Sequence, residues 1–134
     1  MTASATSTTL YNGSKHIIIH VYATATDSTE LTDTVIYDYS ADAYAPSDKT
    51  KLRVEWIQVG NDGVSPLIEW DGATDFPVWG FGNNSATHGD RGVDFQSFGG
   101  IKNLATTPTG DLTLSTIGFG ASEHIFLIVC IRKE

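Results

Sequence analysis

Apolar and polar residues alternate over several short stretches of this chain, with the period that is typical of half-buried β-strands. The longest such stretch is 16–25, and its apolar members are Ile17, Ile19, Val21, Ala23 and Ala25. Because side chains two residues apart point to the same side of a strand, these residues share one face. The stretch therefore predicts a β-strand with one face in a core and the other facing outward.

Further strands are predicted between turn signals along the rest of the chain. They cover 31–40, 51–59, two stretches on either side of Asp71-Gly72 that end near Phe81, 92–98, 111–117 and 123–133. The Asp71-Gly72 pair predicts the turn at which the chain reverses, because glycine accepts a positive φ and aspartate can bond its own backbone. Residues 83–92 are polar and rich in glycine, and they predict a long irregular segment.

Two of these stretches depart from simple alternation. In 51–59 the apolar face changes phase between Trp56 and Ile57, which predicts either two covered faces or a β-bulge. In 123–133 both faces are apolar. The inward set is Ile125, Leu127, Val129 and Ile131, and the outward set is Phe126, Ile128 and Cys130. An apolar outward set indicates a strand covered on both sides or one that meets a partner subunit, so we take it as the candidate self-association face.

About eight short strands, regular turn signals and no convincing helix predict an all-β fold, an antiparallel β-sandwich and in particular a jelly roll. At 134 residues we expect a single domain, which we place at 10–134. Residues 1–9 are mainly Thr, Ser and Ala without charge, and they predict an N-terminal arm that is flexible or that a partner orders. The candidate partner-binding residues of this arm are Thr2, Thr6, Thr9 and Leu10.

The chain carries 16 acidic and 8 basic residues, for a net charge of −8. This balance argues against binding to nucleic acid or to an anionic membrane, because neutralising phosphates needs clustered Lys and Arg. The stretch 16–48 holds six acids and no Lys or Arg, which fits a solvated surface or an acidic face toward a basic partner. A single cysteine excludes an internal disulfide, and the lack of a signal peptide or of a membrane-length apolar run predicts synthesis in the cytoplasm.

The sequence holds no pattern that points to catalysis or to a cofactor. There is no G-x-S-x-G elbow and no phosphate-binding G-K-[ST]. His16 and His20 lie roughly 13 Å apart if they share a strand, which is too far for one metal ion. Glu55 and Glu69, each beside a tryptophan, offer the one neighbourhood for a glycosidase pair, and outward carboxylates explain them more simply. We therefore expect a protein that is not an enzyme and that binds no metal or cofactor.

Five short motifs stand out together from Leu10 onward. They are Leu10-Tyr11-Asn12-Gly13, the stretch 70–75, the stretch 94–100, Gly110-Asp111-Leu112 and Ile131-Arg132-Lys133. In order and spacing they resemble small structural proteins of tailed bacteriophages, of the type that decorates or cements the capsid. The resemblance implies a jelly-roll sandwich without catalysis on the virion exterior, made in the cytoplasm of a bacterial host. It also implies assembly with itself, as a dimer or trimer, and binding to major capsid protein subunits.

A second function class stays open, that of a carbohydrate-binding or tail-associated receptor-binding module. Sandwich domains that bind sugars stack the sugar rings on exposed aromatic side chains. In this chain Trp56, Trp70 and Trp79 would supply those side chains. Exposure of the tryptophans to solvent distinguishes this alternative from packing in a core.

Overall fold

The computed structural model describes residues 3–25, 29–62, 64–80, 88–120 and 123–133. These residues form two antiparallel β-sheets that pack face to face, which confirms the predicted all-β antiparallel sandwich. The strands are β1 (Ala3–Asn12), β2 (His16–Ala25), β3 (Thr34–Tyr37), β4 (Arg53–Asp62), β5 (Ser65–Trp70), β6 (Phe76–Gly80), β7 (His88–Asp94), β8 (Ile101–Lys102), β9 (Leu112–Ile117) and β10 (His124–Arg132). Short 3-10 helices occur at Tyr39–Ala41, Lys49–Lys51 and Gln96–Phe98. No helix in the described ranges has the length and apolar character that crossing a membrane takes.

Most connections carry the chain from one sheet to the other. The six-stranded sheet has the order β1-β2-β10-β4-β7, with the short β8 also paired to β4. The four-stranded sheet has the order β3-β9-β5-β6. Because successive strands lie mostly in opposite sheets, most pairs within each sheet join strands that are distant in sequence. The exceptions are the consecutive pairs β1–β2 and β5–β6. Strand β10 is hydrogen-bonded to β2 on one side and to β4 on the other, so it is a central strand.

The apolar faces of the two sheets meet in one core. The inward residues predicted on β2 and β10 are all buried, and they are Ile17, Ile19, Val21, Ala23, Ala25, Ile125, Leu127, Val129 and Ile131. The four-stranded sheet contributes a second set with 0% exposure, namely Ile68, Trp70, Leu112 and Leu114. Full burial of one large apolar side chain contributes roughly 1.5–3 kcal/mol, so these two sets hold the sheets together.

The prediction of a flexible arm over residues 1–9 is wrong for residues 3–9, which the structure describes as part of a strand. Ala3–Asn12 is an edge strand that pairs antiparallel with β2 along its length. Ala3 and Ala5 pack against the core, and the β-branched threonines that follow them suit extended backbone. Hydrogen bonds between backbones therefore order a segment whose side chains have little apolar area to bury. Thr2 lies outside the described residues.

A β-bulge in β4 accounts for the phase change in 51–59. Along the β4–β10 pair, Trp56 lies opposite Cys130 and Val54 lies opposite Ile131, so Glu55 is an extra residue on β4. Such a bulge re-aims the side chain of the extra residue while the rest of the strand keeps its faces. The predicted alternative of a bulge is confirmed, and Glu55 turns away from the core toward the outward side of the sheet.

The turn predicted at Asp71-Gly72 is confirmed, but glycine is needed there for another reason. Strands β5 and β6 pair antiparallel on either side of it, and Gly72 is not among the glycines with a positive φ. A methyl group on Gly72 would lie 2.4 Å from the carbonyl oxygen of Thr106. That carbonyl accepts a hydrogen bond from the Ala73 N–H at 2.7 Å. Glycine is therefore required by the close approach of a second loop.

Strand β7 corrects a further prediction. The irregular segment expected over 83–92 is wrong from His88 onward, because His88–Asp94 pairs with β4 at the edge of the six-stranded sheet. The part of that prediction on 83–87 lies outside the described residues. Polar and glycine-rich composition misled the assignment, because an edge strand needs backbone pairing more than apolar side chains.

A buried ion pair ties the chain beyond β10 to the loop after β3. The Nζ of Lys133 lies 2.8 Å from Oδ2 of Asp42, and the two side chains are 0% and 1% exposed. Asp42 also accepts hydrogen bonds from the Tyr37 hydroxyl at 2.8 Å and from the Asn12 amide at 3.0 Å. Lys133 donates in addition to the Asn12 side chain and to the Gly13 carbonyl. Both charges are thus compensated inside the protein.

Candidate functional site on the six-stranded sheet

The side of the six-stranded sheet that faces away from the core, which we call the outer face, carries the predicted self-association residues. Strand β10 runs through its centre. Phe126 lies between Tyr22 on β2 and Gly60 on β4, and Ile128 lies between His20 and Gln58. Outward positions of a central strand are ordinarily polar when they meet water. On this sheet they are apolar or aromatic at its middle.

Four rings form an aromatic patch at the centre of the outer face, made of His20, Tyr22, His124 and Phe126. The Phe126 ring is tilted against Tyr22 with centroids 5.0 Å apart, and the centroids of His20 and His124 lie 6.3 Å and 6.4 Å from it. Tyr22 stacks on His124 at 6.2 Å. Cross-strand aromatic pairs of this kind stabilise a sheet and present a stiff surface.

A shallow cavity adjoins the aromatic patch and has a volume of about 320 Å³. It is lined by His20, Gln58, Val59, Gly60, Phe126 and Ile128. The cavity exists because Gly60 places no side chain on β4 opposite Phe126. Phe126 remains 50% exposed beside it, so the patch offers both a projecting ring and a depression.

The three residues of the predicted self-association face differ in accessibility. Phe126 is half exposed, Ile128 is half-buried and Cys130 is 3% exposed. Cys130 therefore cannot serve as a contact for a partner, although it lies on the outer face as the alternation predicted. The accessible part of the face consists of Phe126 and Ile128 together with the rings that β2 contributes.

A second feature lies on the outer face at the bulge of β4. Oε1 of Glu55 lies 2.8 Å from Nε2 of His16 and 3.9 Å from Sγ of Cys130. Oε2 of Glu55 lies 3.8 Å from Nη1 of Arg132. Burial, with the Glu55 charge beside it, raises the pKa of the Cys130 thiol to about 11. The thiol is therefore neutral near pH 7 and is not an activated nucleophile.

This cluster was not predicted from the sequence. His16 and His20 share a strand, whereas the partners of His16 come from β4 and β10. The bulge that turns Glu55 outward was one of two open alternatives, and the pairing of β10 with both other strands cannot be derived from alternation. The sequence offered one signal for the cluster. A histidine, an acid and a cysteine each lie at an outward position of a predicted strand.

The three tryptophans do not form the predicted sugar-stacking platform. Trp70 is fully buried in the core, where its indole N–H donates to the Ile101 carbonyl at 3.2 Å. Trp56 is half-buried on the six-stranded sheet, and Trp79, on the other sheet, packs against Phe95 with centroids 5.5 Å apart. The prediction that these tryptophans share one sugar-binding surface is therefore wrong, because they lie on different sheets and Trp70 is inaccessible.

The two glutamates considered for a glycosidase pair lie on opposite sides of the sandwich. Glu55 belongs to the outer face, whereas Glu69 lies on the four-stranded sheet beside Asp33 and Asp75, with carboxylate oxygens of the three acids within 4.8 Å of one another. Partial burial and the charges of Asp75 and Asp33 raise the pKa of Glu69. Glu55 and Glu69 are therefore too far apart to act together on one substrate.

We expect Glu69→Gln to raise the free energy of unfolding at pH 7 by roughly 0.2–1 kcal/mol, the size of an exposed charge interaction. The raised pKa means that the folded chain holds this proton to higher pH than the unfolded chain, whose carboxyl titrates near 4.5. Wild-type stability therefore falls as pH rises through that window. Urea unfolding should show the gain at pH 7 and none near pH 3, where the carboxyl is neutral; an equal gain at both pH values would contradict the assignment.

The outer face thus combines an accessible aromatic patch with a nearly closed cluster of His16, Glu55 and Cys130. The patch can bury apolar area against another surface, and the cluster brings nitrogen, oxygen and sulfur ligands together.

Comparison of the chain with protein-family models, with curated proteins and with solved structures found no match.

Proposed function

We propose that this protein is a non-enzymatic structural protein of a bacteriophage virion that decorates or cements the head shell. In this role it binds major capsid protein subunits and assembles with itself as a dimer or trimer on the capsid exterior. The observation that carries the proposal is the aromatic patch with Phe126 half exposed at the middle of a central strand. Burying such a patch against another protein is favourable, whereas a sheet face that only meets water is ordinarily polar.

The strand order supports a jelly-roll assignment within this proposal. The six-stranded sheet contains the order β2-β10-β4-β7, with β1 and β8 added to it, and the other sheet has the order β3-β9-β5-β6. Most connections cross between the two sheets. Eight strands whose connections cross in this way between two sheets form the two Greek keys of a jelly roll. That architecture is common in viral capsid and lectin domains, and it is the one that the bacteriophage resemblance implies.

Self-association through the outer face follows from the shape and composition of the patch. In a symmetric dimer the same patch meets its copy, so a projecting ring must find a depression on the same surface. Phe126 and the cavity beside Gly60 are neighbours and meet this requirement. Aromatic side chains in the centre of an interface commonly carry most of its binding energy. Phe126 is therefore the residue whose loss should matter most.

Binding to capsid subunits is supported by the edge strand β1. Its free edge pairs with no strand of the described residues, and it exposes Thr6, Thr9 and Leu10. Such an edge accepts a strand from a partner through backbone hydrogen bonds. Leu10 and Tyr11 are 57% and 58% exposed at its end, which adds apolar area. The segment predicted as a partner-binding arm thus keeps its proposed role, now as a preformed strand.

We expect Phe126→Asp to convert the wild-type oligomer into a monomer. A carboxylate at the centre of a closing apolar surface loses its hydration without gaining a partner, which costs several kcal/mol. Multi-angle light scattering on the purified chain measures the mass. The matched control is Ile117→Asp, because Ile117 is 63% exposed at the end of β9 on the other sheet. A monomeric wild type, or equal masses for the wild type and Phe126→Asp, would contradict the proposed interface.

A further inference from the structure

Three potential metal ligands from three adjacent strands converge at the bulge of β4. They are His16 on β2, Glu55 on β4 and Cys130 on β10, and one ligand atom from each lies within 4.8 Å of the other two. In a tetrahedral zinc site, with bonds of about 2.0–2.3 Å, ligand atoms lie roughly 3.3–3.8 Å apart. To close around an ion, the cluster needs His16 and Glu55 to separate by roughly 0.5 Å. His16 and Cys130, whose ligand atoms lie at most 4.8 Å apart, need to approach by up to about 1 Å.

We propose that His16, Glu55 and Cys130 form a binding site for a zinc-type transition-metal ion. The three donors are an imidazole nitrogen, a carboxylate oxygen and a thiolate sulfur. Zinc takes this mixture, whereas magnesium and calcium prefer oxygen ligands alone. Two of the three side chains are deeply buried, since Glu55 is 6% and Cys130 3% exposed, so the donors are held by packing and not by chance surface proximity.

The two carboxylate oxygens of Glu55 have different neighbours. Its Oε1 faces His16 and Cys130, and its Oε2 faces Arg132 at 3.8 Å. Oε1 is therefore the metal ligand, while Arg132 orients the carboxylate from the far side. Groups of this kind, which hold a ligand without touching the metal, tune affinity by roughly 10- to 100-fold.

Charge and proton balance favour a divalent ion here. A thiolate and a carboxylate together neutralise the two charges of zinc, and Arg132 lies beside the carboxylate. Binding forms the metal–sulfur bond as the Cys130 thiol gives its proton to solvent, while His16 contributes the lone pair of Nε2. Because a thiol must lose its proton to bind a metal, each ion bound releases a proton and the affinity rises with pH.

The ion would join three strands at the bulge of β4. The bulge leaves Glu55 without an opposite residue on β10, and the metal would link both strands to β2 there. The His16 side chain is 37% exposed, so the fourth position of the tetrahedron opens toward solvent. Sites with three protein ligands hold water in that position.

Titration of the reduced 134-residue chain with zinc tests the proposal. Calorimetry should give one zinc per chain, the melting temperature should rise on binding, and cobalt should produce the charge-transfer absorption of a thiolate ligand. His16→Ala and Cys130→Ser should each weaken zinc binding by about 100-fold or more. Circular dichroism should show that each variant folds. Replacing His16 should disturb the fold less than replacing Cys130, because the His16 side chain is partly exposed.

His20→Ala is the matched control, because His20 lies on the same strand and the same face outside the cluster. It should bind zinc as the wild type does, and magnesium should not bind to any variant. Absence of stoichiometric zinc binding to the wild type would overturn the proposal. So would unchanged affinity in His16→Ala, and a loss confined to His20→Ala would place the ion at the aromatic patch instead.

Discussion

Replacing Lys133 with Met should lower the free energy of unfolding by roughly 3–5 kcal/mol. Lys133 and Asp42 form an ion pair with both side chains almost fully buried, and removal of the lysine leaves the Asp42 carboxylate inside the protein without its cation. The cost arises from that uncompensated charge more than from the lost attraction. Urea unfolding of both proteins at pH 7 measures the difference.

The double variant Lys133→Met with Asp42→Asn is the control for this explanation. An asparagine keeps the shape and can still accept from Tyr37, but it carries no charge that needs a partner. The double variant should therefore be more stable than the sum of the two single losses implies. A loss below about 1 kcal/mol for Lys133→Met, or strict additivity in the double variant, would show that the pair contributes no more than surface ion pairs do.

The same ion pair should weaken in acid. Burial alone would raise the pKa of Asp42, but hydrogen bonds from Lys133, Asn12, Tyr44 and Tyr37 outweigh it and lower the pKa below the usual 3.8. A carboxyl with a lowered pKa stabilises the fold fully above its ordinary pKa, and this contribution is lost as pH falls through the lowered value. The difference between the wild type and Lys133→Met should accordingly shrink as the pH falls below the ordinary carboxyl value of 3.8.

Replacing Trp70 with Ala should cost roughly 3–5 kcal/mol of unfolding free energy. Trp70 is 0% exposed and packs in the core between the sheets, so its loss leaves a cavity and removes the hydrogen bond to the Ile101 carbonyl. The matched control is Trp79→Ala on the paired strand, because Trp79 is 39% exposed. That control should cost clearly less, about 1 kcal/mol.

Tryptophan fluorescence and urea unfolding together decide this prediction. Trp70 should supply the emission at the shortest wavelength, and its removal should shift the spectrum to the red. Equal unfolding costs for the two variants would contradict the placement of Trp70 in the core. A red-shifted wild-type spectrum that responds to oligosaccharides would return attention to sugar binding, which the positions of the tryptophans argue against.

Side-chain alternation predicted the parts of the fold in which one face is buried. Strands β2 and β10 have the inward residues that their alternation indicates, because burying one face of a strand leaves a clear periodic record. The bulge in β4 was one of two alternatives that the change of phase in 51–59 left open, and only the pairing with β10 places it at Glu55. Strand β1 was missed for the opposite reason, since its stability comes from backbone pairing, which leaves little trace in a run of Thr, Ser and Ala.

The candidate sites were predictable only in part. The outward residues Phe126 and Ile128 were found because they break the expected polar alternation on β10. The cluster of His16, Glu55 and Cys130 and the pair of Lys133 with Asp42 were missed, because each depends on which strands become neighbours. Pairing and register are set by the whole sandwich, so residues far apart in sequence meet without any local signal.

The measurement that tests the proposed function most directly is the mass of the protein alone and its sedimentation with expanded empty phage capsids. We expect a stable dimer or trimer that sediments with the capsids in a saturable amount, and a Phe126→Asp variant that is monomeric and sediments less. The Ile117→Asp control should behave as the wild type does. A monomer that remains in the supernatant would contradict the proposed role as a capsid decoration protein.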